Sequence, residues 1–269
     1  MTSHSVPVPL EMHRVVREGV LLAGGARAIL LQVANPGVGR GVAEHSDFAY
    51  RPVDRLRTTL TYVYCMTYGS PEEVRQVSRM VNRVHAKVRG PGYRATDPEL
   101  QLWVAATLYD TATLLYEEMF GPIEDDAAER IYREYAVLAT SLQVPPEMWP
   151  ADRAAFRGYW DHMVATVEVT DHARSVARDL LYPSRAPVAI RAAMPLNRLL
   201  TAAWLAPRLR EGFGIEWDER RQRRYERLMR IGVAVYPRLP VLLREAPKRY
   251  YLRDMRKRLR HGRAPIGAS

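Results

Sequence analysis

The sequence is poor in cysteine and lacks the short motifs that mark the commonest catalytic sites. Cys65 is the single cysteine among 269 residues, so an intrachain disulfide and a disulfide-stapled fold are excluded. There is no HExxH, paired CxxC, GxGxxG, Walker or GxSxG motif, which argues against the usual zinc-protease, dinucleotide-binding, NTPase and serine-hydrolase classes. None of the seven histidines belongs to a Glu-x-x-His pair, the signature of helical di-iron sites.

Long uninterrupted apolar runs are missing as well. The most apolar segment, 19–38, contains Arg27 and is rich in glycine, so it predicts a buried helix rather than a membrane span. Residues 1–9 are polar and interrupted by proline, which is not the pattern of a signal peptide. From these two features we expect a cytoplasmic protein.

Helix-start signals are frequent along the chain. Ser70, followed by Pro71 and two glutamates, predicts a capped helix that runs to about Arg89, where Gly-Pro-Gly ends it. Asp97 opens another helix in the same way, and no segment alternates strictly between apolar and polar residues. We therefore predict an all-α fold of about eight to ten helices. The predicted helices cover residues 12–34, 54–68, 71–89, 98–120, 125–143, 152–168, 171–182, 187–204, 218–235 and 246–260.

The positive charge is concentrated at the C-terminus. The chain has a net charge of +10, and residues 244–263 contain nine Lys/Arg against Glu245 and Asp254, which is 9 − 2 = +7. We predict a helical domain over 1–240 and a basic extension over 241–269. Because Tyr250, Leu252 and Met255 lie among these cations, peripheral membrane contact is one interpretation, and a solvated helix is the other. No recognition-helix motif is present, so we expect no nucleic-acid partner.

Two groups of residues share helix faces in a way that fits a cofactor. His85 and Arg89 are four residues apart on a predicted helix, and Arg55, Thr58 and Thr59 share a face of the preceding one. An imidazole can ligate haem iron, and arginines can pair with propionate carboxylates. The alternatives are that His85 is a structural histidine and that Arg55 forms a surface ion pair. From these residues alone, the sequence predicts a helical domain with one candidate metal or cofactor histidine.

Several segments, in this order and spacing, resemble the catalytic domain shared by bacterial rubber oxygenases (latex-clearing proteins) and MpaB-type oxygenases. They are GGARAILLQVANP at 24–36, VAEHSDF at 42–48, RLRTT at 55–59, VHAKVRG at 84–90, YRATDPEL at 93–100 and LWV at 102–104. A looser similarity continues to about residue 214. The resemblance implies an all-α domain that encloses one b-type haem.

The resemblance also implies roles for individual residues. His85 of the H-x-x-x-R motif corresponds to the proximal iron ligand, and Arg55, Thr58 and Thr59 correspond to the distal side. The chemistry implied is haem b-dependent use of dioxygen on an apolar, isoprenoid substrate, with oxidative cleavage of carbon–carbon double bonds. Thr58 stands where the family has lysine.

Three questions remain open at this point. Glu44 is a candidate general base, with an ion pair or a helix cap as the alternative, and His45 is the rival iron ligand. Many smaller relatives have histidine where this chain has Ala105. Because of that departure and of Thr58, a non-catalytic haem sensor or carrier, or a helical binding protein whose basic tail engages membrane or nucleic acid, remains an alternative to the oxygenase.

Overall fold

The computed structural model describes residues 11–45, 52–184 and 186–266, with side chains from residue 56 onward in the second segment. The α-helices in chain order are α1 (Met12–Val16), α2 (Gly25–Ala34), α3 (Pro36–His45), α4 (Pro52–Tyr68), α5 (Pro71–His85), α6 (Pro98–Phe120), α7 (Asp125–Tyr135), α8 (Val137–Thr140), α9 (Arg153–Thr166), α10 (Asp171–Leu181), α11 (Val188–Trp204), α12 (Pro207–Gly212), α13 (Glu219–Val235), α14 (Val241–Arg244) and α15 (Ala246–Arg260). Short 3₁₀ helices cover Gly19–Gly24, Pro146–Met148 and Tyr236–Arg238. The strands are β1 (Arg89–Gly90) and β2 (Tyr93–Arg94).

The prediction of an all-α fold is confirmed, and the local helix-start signals account for several boundaries. Ser70 accepts a hydrogen bond from the Glu73 amide at 3.2 Å, and the Glu73 carboxylate accepts one from the Ser70 amide at 2.8 Å. This reciprocal cap satisfies two amides at the start of α5. Asp97 caps α6 in a simpler way, by accepting from the Glu99 amide at 2.9 Å.

The predicted end of the helix that carries His85 was wrong. α5 stops at His85, and the chain then turns into an antiparallel hairpin in which Arg89 pairs with Arg94. Gly92, in the turn between the two strands, takes a φ of +80°, which residues other than glycine rarely adopt. Glycine at this position lets the chain turn back and form a hairpin. Arg89 is therefore not one helical turn beyond His85, and the shared helix face predicted for this pair does not exist.

α6 runs through the middle of the core and is surrounded by the other helices. Trp103 is fully buried, stacks on Trp160 at 5.4 Å between ring centroids and donates to the Leu31 carbonyl at 3.0 Å. Further along, the buried Arg27 of α2 is tied to Asp110 of α6 by a 2.6 Å ion pair. These contacts hold α2 and α9 against α6.

The basic C-terminal helix packs on the rest of the molecule. Leu252 and Met255 of α15 are buried in the same core as α4, and Asp254 pairs with Arg57 of α4. The predicted division at residue 240 stays a prediction, but two apolar residues of the tail face the core. Among the described residues, no helix is long and apolar enough to span a bilayer.

Candidate functional site

A cavity of about 360 Å³ lies between α3, α4, α5 and α6. This volume falls within the roughly 300–1,000 Å³ typical of small-molecule and cofactor sites. The apolar part of its wall includes Val38, Val42, Val81, Val104, Leu108 and Leu138. The polar part includes Gln32, His45, Thr58, Thr59, His85 and Gln101. Val84 also lines the cavity and is 54% exposed, so the cavity reaches the surface beside α5.

One wall of the cavity is formed by a glycine-rich face of α3. Gly37 and Gly41 are four residues apart and both line the cavity. A Cβ atom on Gly37 would lie 3.1 Å from Leu100, and one on Gly41 would lie 3.1 Å from the Tyr93 ring. Glycine therefore lets α3 approach these side chains closely.

His85 lies at the last residue of α5, half-buried, with its ring on the cavity wall. Its Nδ1 is 3.4 Å from the side-chain nitrogen of Gln101, a residue of α6 that is 5% exposed. Because α5 ends at His85 and the chain continues into the β1–β2 hairpin, His85 lies where α5, this hairpin and α6 meet.

The Gln101 amide is held in one orientation by its other partners. Its nitrogen donates to the Ala95 carbonyl at 2.8 Å and to the Gln143 side-chain oxygen at 2.6 Å, and its oxygen accepts from the Gln143 backbone amide at 2.9 Å. The two backbone partners fix which end of the amide is nitrogen. The Gln101 nitrogen therefore faces Nδ1 of His85, while its two N–H bonds are donated to Ala95 and Gln143.

The predicted distal residues lie on α4 across the cavity. Thr58 and Thr59 both line the cavity. Arg55 belongs to α4, but its side chain lies outside the described residues. Tyr62, one turn further on, also lines the cavity and donates its hydroxyl to the Leu138 carbonyl at 2.7 Å; burial raises its pKa, so the phenol stays protonated. The structure thus brings His85, Thr58 and Thr59 to one cavity, as predicted.

Glu44 and Arg89 are placed differently. Glu44 lies beside the cavity, where its carboxylate accepts from Arg40 at 2.7 Å and from the Tyr93 hydroxyl at 2.6 Å. These two hydrogen bonds lower the pKa of Glu44. Arg89 is exposed, and its carbonyl accepts from Nε2 of His45 at 3.2 Å. Neither Glu44 nor Arg89 is part of the described cavity wall, whereas His45 is.

The sequence analysis missed Gln101 and the α3 glycines. A signal for Gln101 was present, because residues 100, 101, 104, 105 and 108 form one helical face on which Gln101 is the polar member. Its partner Gln143 is 42 residues away and could not be assigned from spacing. Within the described segments, no three His, Cys, Asp or Glu side chains gather to hold a metal ion.

Comparisons with known proteins place the chain in a family. The family described as "ER-bound oxygenase mpaB/B'/Rubber oxygenase, catalytic domain" matches residues 13–234. Uncharacterized proteins of Mycobacterium bovis and Mycobacterium tuberculosis are each 37% identical to this chain over 248 residues. The match covers 88% of this chain and 97% of each relative. No solved structure matches the chain. The family match spans every helix that lines the cavity, and the chain belongs to the MpaB and rubber oxygenase catalytic domain family, a family of oxygenases.

Proposed function

We propose that the chain is a haem b-dependent oxygenase that uses dioxygen to oxidise an apolar, olefinic substrate of the isoprenoid class, with His85 as the iron ligand. The observation that carries the proposal is the position of His85 on the wall of a cavity whose lining is otherwise largely apolar. Membership of an oxygenase family gives the class of reaction.

The residues of the cavity fit a haem in three respects. Imidazole nitrogen is a common axial ligand of haem iron. The valines and leucines of the wall exclude water from a bound ring. A cavity that reaches the surface at Val84 gives the polar edge of such a group a route to solvent.

Each residue at the site then has a task that its chemistry allows. Haem supplies the activation of dioxygen when bound. The Gln101 nitrogen lies 3.4 Å from Nδ1 of His85 and covers that side of the ring, so we propose Nε2 as the ligating nitrogen, in the tautomer that carries its proton on Nδ1. Thr58 and Thr59 give the α4 side of the wall polar character, which suits a polar atom of a bound ligand. The apolar wall receives the hydrocarbon part of the substrate.

We propose different tasks for the two residues outside the cavity wall. Glu44 holds the Tyr93 hydroxyl, and Tyr93 in turn packs on Gly41, so Glu44 stabilises the cavity wall and is not the general base. Arg89 stays a proposed partner of a propionate near the hairpin, and Arg55 a proposed distal cation.

The test is the visible spectrum of the chain reconstituted with haemin. We expect a Soret band in the parent, its loss or a large shift in His85→Ala, and an unchanged band in the matched control His45→Ala. If His45→Ala removes the band and His85→Ala does not, the ligand assignment is wrong. If the parent stays colourless after loading, the haem proposal is wrong.

A second candidate, a haem carrier or sensor without turnover, is favoured by one observation. Ala105 lines the cavity and is 3% exposed, so it offers no proton donor or acceptor where many smaller relatives have histidine. Oxygen uptake by the reconstituted protein with squalene separates the two. Substrate-dependent uptake and carbonyl products support the oxygenase, and a stable Soret band without uptake supports the carrier.

A further inference from the structure

The end of α13 and the short α14 expose large apolar side chains. Ile231 and Val235 are four residues apart on one face of α13 and are 57% and 52% exposed. Leu242 and Leu243 of α14 are 60% and 61% exposed. We call these four residues the C-terminal apolar patch. Single exposed apolar residues are ordinary, but a group of them marks an interaction surface.

Each part of the patch is followed by a residue that binds the same carboxylate, that of Glu18. Tyr236, which follows Val235, donates to Oε2 of the buried Glu18 at 3.0 Å. Arg244, which follows Leu243, donates to Oε1 of the same carboxylate at 2.6 Å. The segment between them is thus pinned at both ends to one side chain. The end of α13 and the end of α14 therefore lie close to the same buried carboxylate.

The rim of this patch is cationic. From Arg227 to Arg244 the sequence has four arginines and no aspartate or glutamate. Arg227, Arg230 and Arg238 are exposed around the patch. Glu245, which follows, is buried and pairs with Lys248 at 2.8 Å, so it does not neutralise the rim. Glu226, next to Arg227, is the exposed acid at this end of α13, and the exposed charges around the patch are mainly positive. An apolar surface with a mainly cationic rim is complementary to an anionic surface with an apolar interior.

Two other arrangements fit less well. A symmetric contact with a second copy would place the same rim against itself, and the arginines would face mainly arginines. In the basic tail, Leu252 and Met255 of α15 are buried against the core, and the large side chain that α15 exposes is Tyr250. Ile231 and Val235 thus lie before the basic extension, and Leu242 and Leu243 lie at its start, before α15.

We propose that the C-terminal apolar patch docks on the anionic surface of a lipid bilayer. The apolar side chains of the patch enter the boundary between the lipid headgroups and the acyl chains. The arginines of the rim pair with lipid phosphates. Burial of the apolar side chains and attraction of the arginines both contribute, as they do in interfacial helices. The docking needs no bound cofactor, so it is tested independently of the haem proposal.

The experiment is co-sedimentation of the full chain with vesicles of phosphatidylcholine alone or of equimolar phosphatidylcholine and phosphatidylglycerol. We expect binding to the mixed vesicles. The double variant Leu242→Ser, Leu243→Ser should bind at least about tenfold more weakly, because it loses two leucines that the bilayer would bury. The matched control is Val188→Ser with Leu196→Ser, which removes two exposed apolar residues of α11, 78% and 47% exposed, and should bind like the parent.

A second pair of changes, Arg227→Gln with Arg230→Gln, tests the cationic rim without touching the leucines. We expect it to weaken binding to the anionic vesicles and to make binding less sensitive to salt. Equal binding by the parent and the leucine variant would overturn the proposal, and so would a parent that binds neither vesicle. A parent that is a dimer in light scattering, with a monomeric leucine variant, would assign the patch to a second copy instead.

Discussion

The two halves of α6 have different surroundings. The first half, through Leu100, Val104 and Leu108, lines the cavity. The second half is filled: the Tyr109 ring lies within 5.4 Å of the rings of Tyr132, Tyr135 and Phe156 by centroid distance.

The difference teaches how one element serves a site and a core together. Side chains that pack on all sides stabilise the fold, since each buried aromatic ring removes a large apolar area from water. Side chains that border the cavity give up part of that stabilisation and leave room for a ligand. Positions in the two halves of α6 should therefore lose different amounts of stability on the same kind of substitution.

The largest effect is expected where the helix is filled. Tyr109→Ala should lower the free energy of unfolding by about 3–5 kcal/mol, because it leaves a void among rings that cannot close up. The neighbouring Leu108→Ala, on the cavity side, should cost less, since that side chain already borders empty space. Denaturant unfolding of both variants measures the difference. Equal losses would remove the distinction between the halves.

The opposite substitution, from a small to a large side chain, should again cost more stability in the filled half. Ala112 in the filled half is 8% exposed and Ala105 in the cavity half is 3% exposed, so both are small and buried. Ala112→Phe should lower stability by about 1–3 kcal/mol through overpacking. Ala105→Phe should fold with a smaller loss, because the ring can enter the cavity, but should lose haemin binding. Thermal melts and haemin titration report the two properties separately, and an Ala105→Phe variant that binds haemin normally would contradict the placement of the ligand.

A finer change concerns the chemistry at His85 rather than the space around it. Gln101→Leu keeps the size of the side chain roughly constant and removes the amide that faces Nδ1. Gln101→Glu offers Nδ1 a carboxylate, which makes the imidazole a more electron-rich ligand. In the reconstituted protein we expect a lower haem reduction potential for Gln101→Glu than for Gln101→Leu. Identical potentials would limit Gln101 to a structural role.

The smallest effect is expected at Cys65 of α4, a helix with the same division between cavity and filled core. Thr58 and Thr59 line the cavity, whereas Cys65 is fully buried. Burial raises the pKa of the Cys65 thiol to about 12, so at neutral pH it stays protonated. We expect negligible alkylation by iodoacetamide in the native protein and rapid alkylation after denaturation. Fast native labelling would show that α4 opens at this point.

Local signals predicted much of the fold, because they depend on neighbours in sequence. The caps at Ser70 and Asp97 are made within three residues, so both helix starts were readable. The helix α3 was not predicted, since three glycines and a proline argue against a helix. Gly39 lies so close to α2 that a Cβ atom would be 2.5 Å from the Val33 carbonyl oxygen, and packing rather than propensity makes this segment helical.

The candidate site was predictable only in part. The spacing of His85, Thr58 and Thr59 and the resemblance to oxygenases led to three residues that share the cavity. The hairpin that moves Arg89 away depends on cross-strand pairing, and the setting of Gln101 depends on Gln143, 42 residues further on. Such tertiary contacts leave no periodic signal in the sequence.

The Glu18 carboxylate also has a consequence for synthesis of the protein. Its hydrogen bonds reach Tyr236 and Arg244, which are 218 and 226 residues further along the chain. Until the ribosome has released those residues, the carboxylate has only its neighbour Arg17 as an ion-pair partner among these groups. A buried carboxylate without its full set of donors is costly. The N-terminal turn can therefore reach its final packing only after residue 244 has left the ribosome, and a chain truncated before that residue should be recognised by chaperones as unfinished.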